Sequence, residues 1–131
     1  MKRSTKDIKR LFKRFREMMR SSSLYRWTAV LSVFLLSLTV ALPVWRVLPL
    51  AAEQPFIPLH YNVYLGVDRF GPVRDLFFIP AIGLGLLLIN LSVQTIFSKR
   101  EKLLARFFSI VTPILQFVLL IAMGLIVLVI V

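Results

Sequence analysis

His60 is the only histidine in the chain, and it is the side chain whose ordinary pKa lies closest to neutrality. Asp68 follows it by eight residues, with Asn62 between them. A lone imidazole near carboxylates can shape the backbone through hydrogen bonds, sense protons or ligate a metal. A hydrogen-bonded structural role, with Asp68 or Asn62 as partner, is the expected one, because partly desolvated polar groups require partners. One histidine with scattered acids lacks any recognised metal-ligand spacing. The chain has no cysteine, no Gly-x-Ser-x-Gly and no His-Glu-x-x-His, so thiolate and hydrolytic chemistry have no visible residues. No metal, cofactor or catalytic group is expected, and the chain reads as a non-enzyme.

A second group of chemically individual residues interrupts long apolar runs: Asn90, Thr112 and Gln116. If the run holding Asn90 descends and the run holding the other two ascends, Asn90 lies ~10 Å from its end, between Thr112 at ~8 Å and Gln116 at ~14 Å. That spacing predicts a polar contact between two helices. Such bonds average ~0.6 kcal/mol in membranes, so they orient helices more than they stabilise them. No acid or base lies deep in any apolar run, which speaks against an ion or proton route. Pro113 is expected to kink its helix near Ser109, and Gly83 and Gly85 to permit close helix approach.

The elements that carry these residues follow from composition. Of 131 residues, 58% are hydrophobic, and mean hydropathy is +0.81, which excludes an ordinary water-soluble domain. Three apolar runs are long enough to cross a bilayer, giving spans at 27–48, 76–97 and 107–131 within one membrane domain. The first is the least clean, because Pro43, Arg46 and Pro49 crowd its far end, where Arg46 and Trp45 suit the headgroup layer. A cleaved secretory signal is the competing reading of this run, but Leu50 is too large for the small-residue cleavage pattern. The predicted fold is therefore all-α integral membrane, with three transmembrane helices, an N-terminal amphipathic helix and an extended, turn-rich outer loop.

Lys and Arg are divided unevenly among the connections: ten in residues 1–26, two in 49–75 and four in 98–106. Because short cytoplasmic flanks collect cations, the N-terminus and the 98–106 loop are expected in the cytoplasm, with the 49–75 loop and the C-terminus outside the cell inner membrane.

Within residues 4–20, Ile8, Leu11, Phe12, Phe15, Met18 and Met19 recur at helical spacing among cations. Ser4 with Asp7 resembles a capping box that would start this helix. Its apolar face is expected to sink into a leaflet while the cations meet anionic lipid; the alternative is docking into a protein partner's groove. No base-reading motif accompanies the charge, so nucleic acid is not expected.

The segment between the first two spans is the most individual stretch. Its proline and aromatic content predicts an extended arm over 56–64, with turns at Gly66 and at Gly71-Pro72. Pro58, His60, Tyr61, Asn62, Gly66, Asp68, Phe70 and Gly71 follow the order Pro-x-His-aromatic-Asn, Gly, Asp-x-aromatic-Gly. On these residues the chain resembles a bacterial membrane family of unknown function whose motif also occurs in Sdp-type immunity membrane proteins, with Gly66 displaced by one position. The resemblance implies a small membrane module with a folded outer loop and no reaction attached. The function expected is thus a membrane interaction or assembly module, bound to a protein partner or to copies of itself. A homo-oligomeric pore or transport subunit is the alternative.

Overall fold

Apolar sequence alone would give helices with no reason to pack side by side, since lipid solvates leucine as well as another helix does. What brings three helices together here is one inward stripe of small and polar residues on each. The structure is a computed structural model that describes residues 2–53 and 56–131, and their side chains except at 2–3, 59–61 and 67–69. Its elements are helices α1 (Lys2–Ser21), α2 (Ser23–Arg46) and α3 (Leu48–Ala51), strands β1 (Phe56–Asn62) and β2 (Gly66–Pro72), a 3₁₀ turn (Val73–Phe77), and helices α4 (Phe78–Phe97) and α5 (Lys102–Ile130).

Three helical stretches, Ser23–Ala51, Val73–Phe97 and Lys102–Ile130, are long and apolar enough to span a membrane. The bundle runs up, down, up, with α5 packed against both α2 and α4. Ser32 and Thr39 of α2, Thr95 of α4 and Ser109 of α5 are buried. Each donates its hydroxyl proton to a carbonyl of its own helix, at 2.6, 2.9, 2.7 and 2.7 Å. The hydroxyls are thereby satisfied locally while their small size lets backbones approach. Pro43 and Pro113 both lie inside helices that continue through them.

An apolar cluster closes each end. At one end Val47, Ile57, Leu76, Met123 and Val127 meet; at the other, Met18, Tyr25 and Ala105 do, with Phe15 and Met19 against them. These are called here the hairpin end and the basic end.

The segment between α3 and the 3₁₀ turn is a hairpin, and β1 covers most of the expected extended arm. Its strands pair antiparallel, from Phe56 opposite Pro72 to Asn62 opposite Gly66. Gly71-Pro72 is therefore paired strand rather than a turn, and the 3₁₀ turn follows it directly. The register slips on either side of His60, just past Pro58, whose missing N–H cannot serve a ladder.

At the basic end, α1 starts at Lys2, upstream of Ser4, so Ser4 is not its cap. Helix α5 starts at Lys102, which shortens the expected 98–106 connection and puts Lys102 and Arg106 on helix. At ~1.5 Å per residue its 29 residues reach ~44 Å, so one end can stand in the headgroup layer beyond a core of ~30 Å. Lys99 Nζ donates to Glu17 Oε2 at 3.0 Å, tying α1 to the α4–α5 connection. This hydrogen bond and the ammonium charge hold the Glu17 carboxyl below its ordinary range. The tie is therefore present at neutral pH and is lost as acid protonates Glu17; both groups are solvated, so salt screens it.

Candidate functional site

The polar side chains of α4 and α5 meet in the bundle interior. Thr112 Oγ1 donates to the Phe108 carbonyl at 2.6 Å and accepts from Asn90 Nδ2 at 3.1 Å and from Gln94 Nε2 at 3.3 Å. One hydroxyl thus uses its proton and both lone pairs. Gln116 does not join this group. One turn farther along α5, its Nε2 donates to the Gly83 carbonyl at 2.7 Å. The bond depends on the bare Cα at position 83, which leaves the α4 backbone open to an amide that a side chain would cover. Gly85, by contrast, faces open space, so only one of the two glycines is a close-approach point.

The amide oxygens of Gln94 and Gln116 are buried without a hydrogen-bond partner among the described residues. Gln94 is absent from the expected polar set because it lies close to the end of its apolar run, yet it sits four residues after Asn90 on the same face. Thr112→Val should leave the amides of Asn90 and Gln94 without their shared acceptor. At membrane values for interhelical bonds, the expected loss is about 1–2 kcal/mol in reversible unfolding from detergent micelles. An unchanged midpoint would mean that the α4–α5 pairing does not depend on this hydroxyl.

The second feature is the hairpin. Asn62 Oδ1 accepts from the Tyr64 backbone N–H at 2.9 Å, closing an Asx turn. Gly66 then takes a left-handed conformation with φ of 73°, the geometry that closes a three-residue hairpin loop. Two motif residues, Asn62 and Gly66, therefore build the turn. His60 is paired with Arg69 in the strand register, and Tyr61 with Val67. The side chains of His60, Tyr61 and Asp68 lie outside the described residues, and with them the expected His60–Asp68 contact. Pro58 is half-buried, Phe70 is exposed, and Gly71 is buried.

The turn presents Val63, Tyr64 and Leu65, which are 84%, 95% and 77% exposed. The hairpin is held at its other end by Ile57, which is 1% exposed and lies among Val47, Leu76, Met123 and Val127. Nothing in the polar spacing pointed to this anchor; its signal is a lone isoleucine between two prolines.

The apolar stripe of α1 is divided. Met18 is buried, and Phe15 and Met19 are partly so, against Tyr25 and Ala105, whereas Ile8, Leu11 and Phe12 are exposed. Only the first half of the stripe is open to lipid or to another protein.

Comparison with known proteins finds no similar curated protein and no similar solved structure. Residues 77–131, which comprise α4, the basic connection and α5, match the family described as a protein of unknown function (DUF2768). The match starts after the hairpin, so it leaves out the residues from Pro58 to Gly71. Over α4 and α5 this chain is similar to a family of unknown function.

Proposed function

We propose that this protein is a three-span interaction or assembly module of the bacterial inner membrane, with the hairpin as its docking surface and no catalytic role. The observation that carries this reading is the tip. Turns normally hold small and polar residues, whereas this one shows three consecutive large apolar side chains to solvent, in a loop shaped by Asn62 and Gly66 and anchored through Ile57. A rigid apolar tip suits a groove on another membrane protein. The similarity of this segment to the motif of Sdp-type immunity membrane proteins supports a folded outer surface. The module is preferred to a pore because Asn90, Gln94, Thr112 and Gln116 face the interior of a single chain rather than an outer face that copies could share.

The uneven cation division supports a cytoplasmic basic end and an external hairpin and C-terminus. The exposed half of the α1 stripe, flanked by Lys and Arg, supports contact with anionic lipid.

A cysteine at Tyr64 tests both sidedness and docking, because the chain has no other. Tyr64→Cys should be labelled in intact cells by an impermeant maleimide once the partner is stripped, and a photo-crosslinker at Tyr64 should capture a defined membrane protein. Replacing Val63, Tyr64 and Leu65 together with serine should abolish that adduct while leaving the helices intact. Labelling only after permeabilisation would reverse the topology. An adduct insensitive to the serine changes would remove the tip as the docking surface.

A further inference from the structure

At the basic end, a cavity of about 630 Å³ lies between the α1–α2 junction and the α4–α5 connection. Its chemistry comes from Lys99, Lys102 and Arg106, with Ser22, Tyr25 and Glu17 among the other lining groups. Lys99 is shared with Glu17, whereas Lys102 and Arg106, one turn apart on α5, have no ion-pair partner among the described residues. Two helix N-termini open here. Ser22 precedes α2 and Glu101 precedes α5, and neither makes a side-chain cap bond. The first α5 amide to find an acceptor from the preceding connection is that of Ala105, on the Glu101 carbonyl, so the three amides before it have no intrahelical acceptor.

The ends of α1 and α4 also lie here, and each helix end carries about half a charge, so two N-termini and two C-termini roughly cancel. The side chains therefore decide the sign, and three cations against one carboxylate leave the cavity positive.

A pocket with surplus cations at the start of a helix fits a phosphate group. Two features point to lipid as its source rather than to a dissolved ion. The cavity lies where the apolar stretches of α4 and α5 end, at headgroup height for any bilayer they cross. One turn up α4, Ser98 in the cavity gives way to Thr95, which lines an apolar groove of about 200 Å³ with Phe12, Phe15, Leu88 and Leu91. Dissolved phosphate would leave that groove empty, whereas an acyl chain fills it.

We propose that the cavity and the groove together hold one anionic phospholipid, its phosphate over Lys102 and Arg106 and an acyl chain between α1 and α4. The site extends the general attraction of the basic end for anionic lipid to a defined pocket. It requires neither the hairpin docking nor the sidedness proposed above.

The test uses the full chain in non-ionic detergent, titrated with dioleoyl phosphatidylglycerol, dioleoyl phosphatidylcholine or inorganic phosphate. Bound lipid is counted by native mass spectrometry, and the thermal midpoint is followed in parallel. Phosphatidylglycerol should bind in preference to phosphatidylcholine at a stoichiometry of one. Lys102→Gln with Arg106→Gln should weaken it about 30-fold, whereas Lys6→Gln with Arg10→Gln, an equal loss of charge elsewhere on the basic end, should change it little.

Leu91→Trp, which fills the groove, should weaken lipid binding without touching the cations, and it serves as the independent variant if the double change loses helicity. Equal losses in both charge variants, or equal binding of the two lipids, would overturn the pocket in favour of diffuse attraction. Stabilisation by inorganic phosphate equal to that by lipid, or lipid binding unaffected by Leu91→Trp, would overturn lipid as the occupant. Because the measurement is independent of membrane sidedness, its failure leaves the Tyr64 labelling intact, and the converse also holds.

Discussion

Gly83→Val is expected to destabilise the helix bundle by about 2–4 kcal/mol, the sum of a typical overpacking cost and a lost buried hydrogen bond. A Cβ built at Gly83 meets Gln116 Oε1 at 3.0 Å, Leu36 Cδ1 at 3.0 Å and Leu119 Cδ1 at 3.3 Å. The leucine methyls end flexible side chains and can retreat by a few tenths of an ångström. The Gln116 amide cannot retreat without leaving the Gly83 carbonyl, and it would then be buried with neither end paired, since its oxygen already has no partner among the described residues. Unfolding in mixed micelles, followed by the fluorescence of Trp27 and Trp45, would measure the loss. Gly85→Ala is the matched control. Its Cβ enters open space, and alanine is the better helix former, so its midpoint should hold or rise. If Gly83→Val were as stable as Gly85→Ala, the three helices would not converge at residue 83.

The contrast between these glycines shows what the sequence could and could not convey. Composition made three membrane-length helices legible, because runs of about 20 apolar residues have few other solutions. The inward faces were harder to read. In a soluble helix the buried stripe is apolar, but here the buried positions of α4 are Pro80, Gly83, Leu87, Asn90, Gln94 and Thr95. Ser32 and Thr39 on α2, and Ser109, Thr112 and Gln116 on α5, repeat the three-and-four spacing. Lipid reverses the usual rule, so the signal to follow is small and polar residues at helical spacing rather than large apolar ones. Asn90, Thr112 and Gln116 stood out as polar, yet their partners depended on a backbone carbonyl at Gly83 and on Gln94, which spacing alone does not select. On α1 the apolar spacing was plain, but which half of the stripe packs against Tyr25 and Ala105 is a long-range outcome invisible to local pattern.

The same division explains the hairpin, whose turn residues were visible and whose anchor was not, and it sets the result expected for Ile57→Ala. A two-stranded hairpin is marginal by itself in water, so this one depends on the side chain that docks it. Ile57 is buried among Val47 at the end of α2, Leu76 of the 3₁₀ turn, and Met123 and Val127 near the end of α5. It thereby joins the hairpin to two of the three long helices at once. Truncating a fully buried isoleucine costs about 2–5 kcal/mol, more than a lone hairpin has in reserve. The strands should therefore detach and melt while α2, α4 and α5 persist. Hydrogen exchange should show the amides of 56–72 losing protection with those of the bundle unchanged, and trypsin should gain access at Arg69. Phe56→Ala, at a neighbouring residue that is 65% exposed, should leave both readouts near the parent. Full protection of the strands in Ile57→Ala would mean that pairing within the hairpin, or the side chains of its polar motif, holds it to the membrane end of the bundle without this contact. Melting of the strands with loss of the Tyr64 adduct would instead tie the docking surface to its anchor, making Ile57 the residue through which the bundle keeps the apolar tip in shape.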